Sequence, residues 1–179
     1  MRASTATMTL ILTAIYCSNA MAQSSPPNFR VEFEKHFNSS ADKLVSLAMA
    51  MPDESYSWSP MGDVKSVVSV YMHIARYNYY YPDIALGVPS PMGATEYDSW
   101  EEKITNKGEA IAILAESMEH VRKTLSSKSS RDLEDNTRLY GRDVGQWAVF
   151  LQLVAHMNEH LGQSIAYARI NQVVPPWSK

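Results

Sequence analysis

Residues 139–170, LYGRDVGQWAVFLQLVAHMNEHLGQSIAYARI, decide the fold. Trp147, Phe150, Leu151, Leu153, Val154, Leu161 and Ile165 leave little of the helical circumference polar. A helix that is apolar nearly all round is one that its neighbours enclose. The stretch is therefore read as a central helix from about Leu139 to Ile170, with Pro175-Pro176 finishing it. Working outward, Trp100, Ile104, Ile111, Leu114, Met118, Val121 and Leu125 recur at three- and four-residue steps and predict one long third helix. A polar connection, Ser126 to Asn136, separates it from the last. Val64, Val67, Val70, Tyr71, Ile74 and Tyr77 share one side of a second helix, with Asp63 as its cap and Pro82 as its stop. Phe33, Phe37, Leu44, Leu47, Ala48 and Met51 mark the first helix, which Pro52 ends. Between the second and third, Asp83 to Thr95 carries Gly87, Pro89, Pro91 and Gly93 without any period, which predicts a long crossover. No strand signal and no internal repeat interrupts the pattern. The expectation is an all-α four-helix bundle with one long connection after helix 2.

Composition narrows what such a bundle does. Lys and Arg total 16 against 19 Asp and Glu, a net charge of −3, so the electrostatic footprint of a nucleic-acid binder is missing and no nucleic-acid partner is expected. No apolar run is long enough to span a bilayer. Arg2, the apolar run Met8 to Tyr16 and the small-x-small triplet Ala20-Met21-Ala22 have the layout of a secretory signal peptide. Residues 1–22 are read as that leader and residues 23–179 as the bundle domain, secreted or periplasmic after cleavage near Ala22. The single cysteine, Cys17, leaves with the leader, so the mature chain has neither a thiol nucleophile nor a thiolate ligand.

The chemistry therefore falls to histidines. His156 and His160 are one helical turn apart, about 40° from each other on the wheel and roughly 5–6 Å between Cβ atoms, a separation that lets two imidazoles hold one divalent ion. Such a pair also fits a solvated strip. Gln152, Gln163 and Tyr167 fall in the same sector and make a polar seam along an apolar helix. Unpaired polar groups inside a bundle cost on the order of 1–3 kcal/mol each, so the seam needs partners or a ligand. The candidate third ligand is His73, at the edge of the apolar arc of helix 2. Three imidazoles with one position left open match a catalytic rather than a structural metal site. His36 and His120 are read as surface residues. His156 to His160 also spells H-x-x-E-H, but no Asp or Glu follows His160 to complete a peptidase ligand set. Glu159 is read either as a base beside the metal face or as a solvated helix carboxylate.

His156-Met157-Asn158-Glu159-His160-Leu161-Gly162-Gln163, then Tyr167-Ala168-Arg169-Ile170-Asn171 and Val174-Pro175-Pro176, resembles the last helix of the DinB/YfiT-like superfamily. Tyr56-Ser57-Trp58, Pro60, Gly62 to Val68 and His73 resemble that family's approach to its helix-2 histidine. The resemblance runs from about Asn28 to Trp177. It implies an up-down-down-up bundle, one metal on His73, His156 and His160, and a homodimer. It also implies a metal-dependent hydrolase, or a transferase that uses low-molecular-weight thiols, acting on a small-molecule substrate. The alternative is a non-catalytic metal- or small-ligand-binding protein of the cell envelope. Zn is the expected ion for its redox inertness and its fit to an oxygen-poor ligand set, and Ni, Fe and Cu also suit three imidazoles. This chain departs from the family in its leader and in Gln172, which stands where glycine is common.

Overall fold

The computed structural model describes residues 29–91 and 96–178; the leader assigned to residues 1–22 lies outside them. Four long helices form the bundle: α1 (Phe29–Ala50), α2 (Val67–Leu86), α4 (Lys107–Ser127) and α6 (Trp147–Ile170). Two short helices, α3 (Tyr97–Lys103) and α5 (Ser130–Glu134), and a hairpin of β1 (Asn136–Leu139) and β2 (Arg142–Gly145) fill the connections.

Side-chain pairs give the helix directions. Phe33 meets Phe150 and Ser40 meets Asn158, so α1 and α6 run parallel. Arg30 reaches the carbonyl of Leu125 while Lys107 reaches that of Met51, so α4 runs opposite to α1. Asn78 bonds Ser117 and Lys128 bonds the carbonyl of Leu86, which makes α2 and α4 parallel. The order is up-down-down-up, and the crossover after α2 is what two parallel neighbours require. Phe37, Leu44, Tyr71, Met72, Ile74, Leu114, Phe150 and Leu153, all fully buried, form the shared core.

Several boundaries differ from the sequence reading, each for a local reason. The cap of α2 is Ser66, whose hydroxyl accepts from the Ser69 amide, not Asp63. Pro82 sits inside α2 instead of ending it. Tyr81, Ala85 and Leu86 are buried there, and that burial outweighs the roughly 3 kcal/mol that an interior proline costs. Gly87, at φ 65°, ends the helix in the left-handed conformation suited to glycine. The long third helix is two helices, because Asn106 turns its side chain onto the Glu109 amide and caps α4 afresh. The polar connection holds α5, closed by a capping box between Ser129 and Asp132.

The expectation of no strands is overturned by the hairpin, and the last helix starts at Trp147 rather than near Leu139. Its turn, Tyr140-Gly141, places both residues at positive φ without the Asn-Gly or Asp-Gly signal that usually marks such a turn. Nor is α6 enclosed on all sides. Leu151, Ala155, Asn158, Glu159 and Gly162 are exposed, so one face of the helix remains uncovered. Gln172 takes φ 60°, the physical reason that glycine suits that position.

Candidate metal centre

α2 and α6 run antiparallel, and their facing stripes bring the three expected histidines together. The ligand atoms of His73, His156 and His160 all lie within 4.8 Å of one another. A tetrahedral ion with bonds of about 2.0–2.1 Å spaces its ligand atoms roughly 3.4 Å apart, which falls inside that limit. The ring centroids are 5.2 Å apart for His73–His156, 4.8 Å for His73–His160 and 4.6 Å for His156–His160. His156 is buried and the other two are half-buried, so the cluster has an open side.

Hydrogen bonds fix the tautomers of the two half-buried rings. His73 Nδ1 lies 2.7 Å from Glu101 Oε1, and an ionised carboxylate only accepts, so Nδ1 carries a proton and Nε2 is the nitrogen left to face an ion. His160 is held by a longer chain. The Tyr167 hydroxyl donates to the Lys65 carbonyl at 3.1 Å, so it accepts from Gln163 Nε2 at 2.9 Å. The Gln163 amide oxygen consequently faces His160 Nδ1 at 2.8 Å and takes its proton, again leaving Nε2 free to ligate. Such partners orient metal-binding imidazoles and raise their basicity.

Electrostatics favour the neutral form of His156 and His160, as ligation demands. Burial, with His160 and His73 beside it, pushes the His156 pKa down to about 3, against a smaller opposing pull from Glu101. His160 is lowered mainly by burial. Glu101 behaves in the opposite way. Burial alone would raise its pKa, yet His73, Lys65 and Arg76 hold it at about 2. Its two oxygens accept from His73 Nδ1, from Lys65 Nζ and from Arg76 Nη1 at 3.0 Å. The donor set of three imidazoles, two of them oriented by outside partners, fits a divalent transition ion.

The sequence reading missed Glu101, which the break between α3 and α4 places under His73. Nothing in the local pattern marks it, because an acid in Trp100-Glu101-Glu102 reads as the start of a solvated face. Gln163 and Tyr167 join the centre as the polar seam predicts, whereas Gln152 lies outside this network. Glu159 is exposed, close enough to His160 to favour its charged form. His36 is exposed beside Glu32, as expected. His120 is not: it is half-buried with its ring centroid 5.0 Å from that of Tyr79. Trp58 packs edge-on against Tyr167 at 5.3 Å, closing the end of the seam beyond Gln163.

The model of the DinB superfamily matches residues 36–168, a span that includes all three histidines. The chain belongs to the DinB superfamily. Solved structures share the fold at low identity. A DinB-like protein from Bacillus cereus ATCC 10987 aligns at a TM-score of 0.66 and 17% identity, over 80% of this chain and 93% of that one. A conserved protein from Enterococcus faecalis aligns at 0.64 and 14% identity, over 81% and 97%. The colibactin self-resistance protein ClbS, solved in complex with dsDNA, aligns at 0.60 and 13% identity, over 84% and 99%. No curated protein is similar enough to match. Among the described residues, no helix of this DinB-superfamily chain is long and apolar enough to cross a membrane.

Proposed function

We propose that this chain is a metal-dependent enzyme of the DinB type, a hydrolase or a thiol-dependent transferase acting on a small molecule. The supporting observation is a three-histidine cluster in which partners outside the cluster hold both half-buried rings with Nε2 available. His73, His156 and His160 would hold the ion, with zinc favoured over nickel, iron or copper. A divalent ion there would polarise a substrate oxygen or sulfur and take up developing negative charge. The protein's own part is to hold the three imidazoles oriented, and to move a proton at the open side. Glu159, exposed one residue before His160, is the carboxylate assigned to that proton. Export after removal of residues 1–22 and assembly as a homodimer complete the proposal.

One observation favours the alternative, a non-catalytic metal- or ligand-binding protein of the envelope. The buried carboxylate at the site, Glu101, already accepts from three donors and is not free to act as a base. Metal analysis of protein from its native compartment tests the shared core of both readings. About one transition ion per chain is expected. His156→Ala and His160→Ala should abolish occupancy, His73→Ala should reduce it strongly, and His36→Ala should leave it unchanged. Full occupancy in the His73 variant would refute the ligand set. Glu159→Gln then separates the two readings: an enzyme loses turnover while keeping its metal, and a binding protein changes in neither respect.

A further inference from the structure

The hydrogen-bond chains that orient the two half-buried ligands both end on one residue. His73 Nδ1 meets Glu101 Oε1, and Glu101 Oε2 accepts from Lys65 Nζ. His160 Nδ1 meets Gln163, Gln163 meets Tyr167, and the Tyr167 hydroxyl donates to the Lys65 carbonyl at 3.1 Å. Lys65 thus reaches α3 with its ammonium and α6 with its backbone, 36 residues from the first partner and 102 from the second. It stands immediately before Ser66, the cap of α2, so the helix that carries His73 starts at the same point.

The backbone at Lys65 lies outside any helix or strand. Val64 bonds back to the Met61 carbonyl, and the Val67 and Val68 amides reach the carbonyls of Trp58 and Tyr56. Those bonds fix the flanks of Lys65 rather than the residue itself. A carbonyl in such a stretch points where its few partners draw it. The ammonium supplies a second hold. An ion pair between exposed side chains is worth little. Here the lysine side chain is 41% exposed but its acceptor only 5%, so the charge-assisted bond is sheltered from water on the carboxylate side.

We infer that Lys65 is a positioning residue for both half-buried ligands at once. Its ammonium holds Glu101 against His73. The same tether seats its main chain under Tyr167, and so keeps Gln163 on His160. The inference rests on the metal reading above and goes beyond it, because it assigns to one surface-accessible residue the joint orientation of two histidines that sit on different helices. A site built this way sets its two half-buried imidazoles together or loses both together.

Zinc affinity, read by competition with a chromophoric chelator, tests this in a double-mutant cycle. Lys65→Met removes the ammonium and leaves the carbonyl, while Tyr167→Phe removes the hydroxyl that uses the carbonyl. Each should weaken zinc binding roughly tenfold, the lower end for lost partners of ligating histidines. Because tether and carbonyl belong to one residue, the double variant should lose little beyond either single change, rather than the roughly hundredfold that independent chains would give. Lys65→Arg keeps a cation for Glu101 and should restore binding close to the wild-type level. Lys107→Met is the control: this lysine bridges Asp53 and the Met51 carbonyl, outside the histidine network, so its loss should lower the melting temperature and leave zinc affinity unchanged. Unchanged affinity in Lys65→Met, a fully multiplicative loss in the double variant, no rescue by Lys65→Arg, or an equal loss in Lys107→Met would overturn the role of Lys65 and leave the metal reading standing. Wild-type protein that binds neither zinc nor cobalt would overturn both.

Discussion

Glu101→Gln is the substitution that examines the centre most directly, because it preserves shape and removes one charge. The carboxylate is 5% exposed and accepts from His73, Lys65 and Arg76 together. Its displacement from 4.5 to about 2 corresponds to roughly 3 kcal/mol of preference for the charged form. Glutamine offers one acceptor where there were two, and turns an amide donor toward groups that are themselves donors. Lys65 and Arg76 then each lose one charged acceptor in a half-buried setting, a change that typically costs several kcal/mol when a buried pair is broken. A loss of about 2–3 kcal/mol at neutral pH is expected, or a fall in melting temperature on the order of 5–10 °C for a domain of this size. The folded carboxyl sits below its unfolded value. Its contribution is therefore complete above about 4.5 and fades as pH falls toward 2. In metal-free protein the gap between wild type and variant should close over that window. Metal affinity should fall by roughly 10–100-fold, as for other lost partners of ligating histidines. Calorimetry across pH and competition with a chelator measure both effects. Equal melting temperatures at pH 7 together with unchanged metal affinity would refute the assignment of Glu101 as the group that orients His73.

Metal removal should leave a helical protein that unfolds cooperatively, since the long apolar faces carry the bundle; circular dichroism that collapses on chelation would make the site structural. In that metal-free protein, stability should rise with pH between about 3 and 6.5, because unfolded His156 binds a proton there that the folded ring refuses; urea titrations at the two ends of the window read the sign. Gln172→Gly should stabilise by about 0.5–1 kcal/mol by relieving a left-handed backbone, measured by the same titrations, and a loss of stability would mean that the glutamine side chain contributes more than its backbone costs. Mass spectrometry of exported protein should find an N-terminus at Gln23, and an intact Met1 outside the cytoplasm would contradict the leader. Fluorescence anisotropy with a labelled duplex should show no binding at low salt, as the net charge of −3 provides no general attraction to phosphates; saturable binding would align this chain with the DNA complex of ClbS.

Local pattern alone determined the four long helices, the crossover after α2 and the identity of three histidines that converge. Helical periodicity is written into neighbouring residues, and His156 and His160 are one turn apart whatever surrounds them. The departure at Gln172 shows only against the family the chain resembles, and its cause, a positive φ, is not written in the local pattern. Tertiary structure decided everything that depends on partners distant in sequence. Pro82 continues its helix because burial around it outweighs its local penalty. Glu101 becomes the orienting carboxylate because a break at Asn106 lets α3 lie against α2, twenty-eight residues from His73 along the chain. Gln163 and Gln152 look alike in the seam, yet one directs His160 and the other lines a groove, because Tyr167 and Lys65 stand at one end of α6 and the hairpin at the other. Periodicity specifies which face of a helix is buried, but which polar group meets which across that face is settled only when the helices pack.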